Sequence, residues 1–318
     1  MHIIIPDDYQ NVVRTLDCFA KLAGHTVTIY NDTVKNLESL TARLEPADAL
    51  VLIRERTPIT AALLARLPRL KMIAQTGRGI PHIDLDACTR HRVVVTNGTG
   101  SAHATAELTW GLILAAMRFI PQEAARLKAG QWQGHFGRGL HGRTLGIWGY
   151  GSIGSLVARY GQAFGMRVIV WGREGSLTRA RADGFVPAPG QETFLREADV
   201  LSLHVKLNKE TRGLVTAADF AQMKSDALFV NTSRAELIEP GALVAALRAG
   251  RPGFAAVDVY EQEPVLGAEH PLLKMDNALC TPHLGYVEKD SYEGYFAQAF
   301  EQVVAFAEGR LFGGINSF

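Results

Sequence analysis

The sequence predicts an α/β protein built from two doubly wound parallel sheets, with a cleft between the two domains that carry them. Three observations lead there. Short β-branched runs alternate with helical stretches along all 318 residues, the pattern of parallel α/β layers. Many of those runs are continuously apolar, as expected of strands covered by helices on both faces. Two long helical stretches interrupt the rhythm and divide the chain into parts.

Taken in order, His2–Ile5, Ala49–Ile53, Lys71–Gln75 and Arg92–Thr96 read as strands of the first part, with helical stretches at Asp8–Ala23, Ala61–Leu67 and Asp84–His91. Ala102–Lys128 then has helical apolar spacing and no proline before Pro121. The second part gives Thr144–Trp148, Arg167–Trp171, Val200–His204, Ala227–Asn231, Ala255–Val259 and Ala278–Thr281 as strands. The stretch Gly130–Gly142, rich in glycine and histidine and containing Trp132, reads as a loop ahead of the first of them. Val287–Gly309 is the second long helix, with Tyr292, Phe296, Phe300, Val303 and Phe306 at helical spacing. Read as two crossings, the long helices place residues 1–100 and 284–318 in one discontinuous domain and 101–283 in the other.

Composition sets bounds on function. A hydrophobic fraction of 47% and a charged fraction of 20% are those of an ordinary globular protein. A net charge of +1 offers no electrostatic reason for a nucleic-acid or anionic membrane partner. Cys18, Cys88 and Cys280 are odd in number and widely spaced, form no CxxC, and read as buried thiols in a reducing compartment. No apolar run is long enough for a membrane span, and Met1–Pro6 is too short for a secretion signal. The expectation is a soluble, cytoplasmic protein with no metal site.

The most informative motif is Gly149-Tyr-Gly151-Ser-Ile-Gly154, directly behind the apolar run Thr144–Trp148. Strand, glycine turn and helix follow one another, and a second strand, Arg167–Trp171, comes one helix length later. Such a turn is a Rossmann-like dinucleotide site. Gly149 permits the turn, Gly151 admits the pyrophosphate, and Gly154 lets the helix pack on its strand. The helix then offers the N–H groups of residues such as Ser152 and Ile153 to the phosphates. Taken alone, a glycine-rich turn is often only structural, and here the flanking strands carry the argument.

Arg234, Asp258, Glu263 and His283 all follow expected strands of the second part, on the carboxyl edge where open α/β sheets bind ligands. An arginine suits a substrate carboxylate, and a histidine with a nearby carboxylate suits proton exchange with a hydroxyl or carbonyl. Each has a bland reading. Arg234 fits a solvated helix start, Asp258 a turn cap, Glu263 a turn carboxylate before proline, and His283 a loop hydrogen bond. Their shared edge is what gives them weight.

The order of motifs resembles the D-isomer-specific 2-hydroxyacid dehydrogenases over nearly the whole chain. The matching segments are Gln75–Gly79, Ile83–Ala87, Ala106–Leu108, Leu145–Gly154, Ala198–His204, Thr211–Leu214, Asn231–Arg234, Asp258–Pro264, His270–Leu272 and Thr281–His283. The resemblance implies that Arg234 holds the substrate carboxylate and polarises the 2-oxo group. It makes His283 the general acid, and Glu263 the carboxylate that orients the ring and raises its pKa. It places Asp258 and Thr232 with Gly149, Gly151, Ser152, Ile153 and Arg173 at the cofactor. Gly77, Arg78 and Gly79 become the loop that closes over the substrate. The implied reaction interconverts a small 2-oxo acid and a D-2-hydroxy acid with NAD(P)H.

Some positions depart from the family pattern. Lys206 stands where proline is usual, Ala235 replaces a common glycine, and Gly79-Ile-Pro-His82 is atypical in the substrate loop. At the cofactor, Gly172 occupies the place of the aspartate that binds a ribose 2′-hydroxyl, and Arg173 follows. That favours NADP(H) over NAD, with Glu174 as the residue that would reverse the preference. A homodimer is expected, through the helix near Ala102–Phe119 with Trp110 and Leu112–Ala116, a monomer burying that helix being the other arrangement. Two alternatives share the fold: a catalytically weak NAD(P)-sensing protein and a formate dehydrogenase-like enzyme, the latter typically lacking the equivalent of Glu263.

Overall fold

The apolar runs of the sequence become parallel strands in a computed structural model of the chain, which describes residues 1–310 and 314–316. The chain divides into two compact units, Met1–Ser101 with Glu288–Phe318, and Ala102–Val287. Residues 311–313 and 317–318, within the 284–318 segment assigned to the first domain, lie outside the described residues.

In the first unit, β1 (His2–Ile5), β2 (Thr26–Ile29), α1 (Leu37–Leu44), β3 (Ala49–Leu52), α2 (Ala61–Leu64), β4 (Met72–Gln75), α3 (Leu85–Arg90) and β5 (Val94–Asn97) follow in sequence. The strands form one parallel sheet in the order β2-β1-β3-β4-β5. The strand β2 was not expected. It is a half-buried edge strand, so it lacks the continuous apolar run of β3 and β4.

The expected helix Asp8–Ala23 is instead two short 3₁₀ turns, Val13–Thr15 and Asp17–Leu22. The Asp8 carboxylate accepts from the N–H groups of Val12 and Val13, and Leu16 is extended, so local side-chain bonds displace the helical ladder. Glu293 caps the second turn, accepting from Asp17 and Cys18 N–H.

The second unit runs through α4 (Ala102–Arg118), α5 (Ile120–Lys128), β6 (Thr144–Trp148), α6 (Ser152–Ala163), β7 (Arg167–Trp171), α7 (Glu174–Ala182), β8 (Val186–Pro187), α8 (Gln191–Glu197), β9 (Val200–Leu203), α9 (Ala217–Gln222), β10 (Leu228–Asn231), α10 (Ala242–Ala249), β11 (Phe254–Val257) and β12 (Ala278–Cys280). Its sheet is parallel, in the order β12-β11-β10-β9-β6-β7-β8. The order reverses at β6, flanked by β7 and β9, and such a switch point is where ligands bind. Residues of β6, β9 and β10 are buried throughout, as layers on both faces require.

The first crossing is two helices, not one. Pro121 has no N–H to give to the Met117 carbonyl, which accepts instead from Arg138 N–H at 2.8 Å, and Phe119 turns left-handed at φ 53°. Trp110, Leu112 and Ile113, proposed as interface residues, are core residues of the second unit, where Trp110 packs on Tyr160 and Phe164. The helix α11 (Lys289–Ala307) returns to the first unit and buries Tyr292, Phe296, Phe300 and Val303. The boundary falls after Val287, four residues beyond the one expected at 283/284, because Asp258 holds the N–H groups of Leu284 and Gly285. Cys18 and Cys88 are buried, but Cys280 at the end of β12 is only half-buried.

Candidate active site

Where β6 ends, Gly149 adopts φ 96° and donates its N–H to the Trp171 carbonyl at 2.8 Å. A Cβ on Gly149 would lie 2.6 Å from the His204 carbonyl oxygen, and one on Gly154 would come well inside 3.0 Å of the Gly149 carbonyl oxygen. A Cβ on Gly151 would meet nothing within 4 Å. The three glycines therefore do different things: two let helix, strand and turn close on one another, and the third keeps a space open. Gly151 caps α6 with no side-chain bond, which leaves the N–H groups of Ser152 and Ile153 facing that space. Open room over a helix N-terminus at a switch point fits the pyrophosphate of a dinucleotide.

The end of β7 supplies the next part. Gly172 is followed by Arg173, the exposed N-cap of α7. Glu174 is engaged elsewhere: it accepts from Arg181 at 2.7 Å, and that bond holds its carboxyl below the usual range. Arg179, which the sequence reading missed, donates from Nη2 and Nε to the Tyr150 carbonyl of the glycine turn, at 3.0 and 3.3 Å. Its helical distance from the turn in sequence hides that contact.

The strand ends of β10, β11 and β12 bring Arg234, Asp258, Glu263 and His283 onto one edge. His283 Nδ1 lies 2.6 Å from Glu263 Oε2, and the ring packs edge-on against Tyr286 at 5.3 Å. Its Nε2 has no partner among the described residues. His283 holds a left-handed backbone at φ 54°, a strained conformation for a non-glycine residue that costs on the order of 1 kcal/mol or more. Glu263 Oε1 also accepts from Tyr260 N–H at 3.0 Å. Burial pushes the Glu263 carboxyl up, but His283, the Tyr260 N–H and Arg234 outweigh it and hold it below the usual range.

Arg234 donates from Nη1 to the Ser233 carbonyl at 2.7 Å, and its own carbonyl accepts from Asn231 Nδ2 at 2.9 Å, which fixes the turn that carries it. Neighbouring Thr232 is buried, with its hydroxyl 2.7 Å from that of Thr109 on α4. Asp258 is buried and accepts from Thr281 Oγ1 at 2.6 Å and from the N–H groups of Leu284 and Gly285 at 2.7 and 2.8 Å. Burial raises its carboxyl above the usual range against the pull of those donors. Through these bonds Asp258 anchors the segment that begins at His283.

Gly77, Arg78 and Gly79 belong to the first unit. Gly77 has φ 81° and lies directly beneath the Arg54 guanidinium, which also covers the Tyr295 ring at 5.7 Å. Arg54 is itself left-handed at φ 54°, with its N–H on Thr76 Oγ1 and its carbonyl on Gln75 Nε2. Glu55 lies against Gly79, where a Cβ would be 2.5 Å from Oε1. The Arg78 carbonyl accepts from Asn97 Nδ2 at 3.0 Å, and its side chain is exposed. Both ring nitrogens of His82 are buried without a partner among the described residues, and burial pulls the imidazole down to about 4.

Among the described residues, no helix is long and apolar enough to cross a membrane, and no group of three or more His, Cys, Asp or Glu could hold a metal ion.

Residues 110–285 match the family model described as D-isomer specific 2-hydroxyacid dehydrogenase, NAD binding domain. The chain is 39% identical over 285 residues to glyoxylate reductase of Aeropyrum pernix, covering 86% of this chain and 84% of that protein. It is 37% identical over 281 residues to D-3-phosphoglycerate dehydrogenase of Bacillus subtilis, but spans only 52% of that longer protein. A crystal structure of phosphoglycerate oxidoreductase from Vibrio cholerae o395 superposes with a TM-score of 0.95 at 55% identity, covering 97% of this chain and 99% of that one. With the glycine turn and the Arg234, Glu263 and His283 edge in the matched region, the chain belongs to the D-isomer specific 2-hydroxyacid dehydrogenase family and is an NAD(P)-linked oxidoreductase of 2-oxo and 2-hydroxy acids.

Proposed function

We propose that this chain reduces a small 2-oxo acid to the D-2-hydroxy acid, with His283 as the general acid, Glu263 as its partner and Arg234 as the carboxylate ligand. The observation that carries the reading is the 2.6 Å contact between His283 Nδ1 and Glu263 Oε2. It fixes the ring and leaves Nε2 to carry the exchangeable proton. The nicotinamide, when bound, supplies the hydride. His283 Nε2 delivers a proton to the carbonyl oxygen and recovers it in the reverse direction. Glu263, held ionised, stabilises the imidazolium between those events. The Arg234 guanidinium orients the substrate carboxylate through its planar fork. Gly77, Arg78 and Gly79 are kept as the substrate loop of the first unit, with Arg54 on Gly77 bearing on the choice of side chain.

Gly149, Gly151, Ser152, Ile153, Thr232 and Asp258 are assigned to the cofactor. We read the cofactor as NADP(H) ahead of NAD(H). Gly172 offers no carboxylate to repel a 2′-phosphate, Arg173 is exposed beside it, and Glu174 is tied to Arg181. The Glu263–His283 pair favours this chemistry over formate oxidation, which needs no proton on oxygen. A homodimer remains our reading, with its contact moved from α4 to α5 and the loop after it. Ile120, Leu127, Trp132 and Phe136 are exposed there at 53%, 60%, 75% and 97%.

Steady-state turnover of His283→Ala with glyoxylate and with 3-phosphohydroxypyruvate tests the central assignment. We expect kcat to fall about 100-fold or more, with dinucleotide affinity retained. A folded variant with near-normal turnover would overturn it.

A further inference from the structure

Arg179 is the one arginine that reaches from α7 into the glycine turn. From the sixth position of that helix its side chain runs back toward the helix start. Nε and Nη2 donate to the Tyr150 carbonyl at 3.3 and 3.0 Å, and Nη2 lies 3.4 Å from Ser176 Oγ. Three segments meet at this point. A Cβ on Gly172 would lie 3.5 Å from Ser176 Cβ and 3.7 Å from Gly149 Cα, so the end of β7, the first turn of α7 and the glycine turn pack against one another.

The charges around this junction are uneven. Glu174 is committed to Arg181 at 2.7 Å, and Asp183 accepts from the Tyr150 hydroxyl at 2.7 Å and lies 3.4 Å from Arg159. Neither Arg173 nor Arg179 has a carboxylate partner among the described residues. Arg179 is bonded only to a carbonyl and a hydroxyl, which orient the guanidinium without neutralising it. Its Nη1 makes no hydrogen bond among the described residues. A long side chain is ordered, at an entropic cost, with an uncompensated positive charge held against the Tyr150 carbonyl of the glycine turn.

We infer that Arg179, together with the Ser176 hydroxyl, is a second arm of the site for the ribose 2′-phosphate of NADPH, complementing Arg173. The inference rests on the NADPH reading given above. A phosphate monoester carries close to two negative charges and several strong acceptors, whereas a ribose 2′-hydroxyl carries no charge. A fixed guanidinium with unused N–H groups and an adjacent hydroxyl donor discriminates between the two by charge-assisted hydrogen bonding. The arm adds attraction for the 2′-phosphate and nothing that repels NADH, so selectivity comes from attraction.

The rival role for Arg179 is a brace for the glycine turn, and a brace would serve both cofactors equally. Dissociation constants for NADPH and NADH, measured by titration calorimetry on the full chain, separate the two. The unaltered protein should bind NADPH more tightly. Arg179→Gln should weaken NADPH by about tenfold or more and NADH by less than about threefold, the loss expected for one charge-assisted contact. Arg179→Lys, which keeps the charge and the bulk, should fold even if the glutamine variant does not, and should lose part of the NADPH preference with NADH unchanged. Equal losses for the two cofactors in these variants overturn the inference in favour of a brace. A preference that survives at Arg179 and vanishes in Arg173→Ala overturns it while leaving the NADPH reading intact. Binding of NADH as tight as NADPH by the unaltered protein overturns that reading, and the inference with it.

Discussion

Alanine at Gly154 and at Gly151 should have opposite signatures, although the two glycines lie in one turn. At Gly154 the new methyl would come inside 3.0 Å of the Gly149 carbonyl oxygen and 3.3 Å from Ile147 Cγ2. Neither neighbour yields, because one is backbone in the turn and the other belongs to a fully buried strand. The start of α6 has to lift off β6, an overpacking cost of about 1–3 kcal/mol. For a unit of this size that lowers Tm by roughly 2–12 °C. The N–H groups of Ser152 and Ile153 move with the helix, so NADPH affinity should fall by about tenfold or more. At Gly151 the backbone is extended (φ −105°, ψ −160°) and a methyl meets nothing within 4 Å. Stability should change by less than about 1 kcal/mol. The same methyl occupies the space assigned to the pyrophosphate, and dinucleotide affinity should again fall by about tenfold. Thermal melts by circular dichroism and NADPH titration calorimetry on both variants make the comparison. Normal NADPH binding by Gly151→Ala would refute the assignment of that space, and an unchanged Tm for Gly154→Ala would refute the packing argument.

Three other outcomes are expected. The Glu263 carboxyl is held below the usual range, so Glu263→Gln removes a negative charge from beside His283 Nδ1. Without it the basic limb of the pH–rate profile for 2-oxo acid reduction should move toward acid. An unmoved limb argues that the pair does not carry the proton. Arg234→Lys keeps the charge but not the fork, and should raise KM for the 2-oxo acid and lower kcat while leaving NADPH affinity alone; catalytic efficiency within about twofold of the unaltered protein would place the carboxylate elsewhere. If the exposed face of α5 and its loop is a dimer contact, Phe136→Ser with Trp132→Ser should halve the mass measured by sedimentation, and an unaltered protein that is already monomeric sinks that reading.

The sequence alone was enough for the fold class and for most of the strands, because a strand buried on both faces must be continuously apolar and little else looks like that. It was also enough for the glycine turn, where Gly149 and Gly154 answer local steric demands and Gly151 leaves room. Where surroundings outweigh local pattern, it failed. Half-buried β2 has no such run, Asp8 captures the N–H groups that a helix at Asp8–Ala23 would need, and Pro121 breaks the first crossing only through the carbonyl it leaves for Arg138. The sequence named Arg234, Glu263 and His283 from their places after strands, yet the 2.6 Å pairing of two residues twenty positions apart exists only once β11 and β12 lie side by side. Trp110 shows the same limit from the other side, since an apolar helix face is equally suited to a partner or to its own core, and here the core took it. Local sequence determines which conformations and chemistries are affordable at each position. Which distant groups meet, and therefore which charges are compensated and which are left to act on a ligand, is decided by the packing of whole elements.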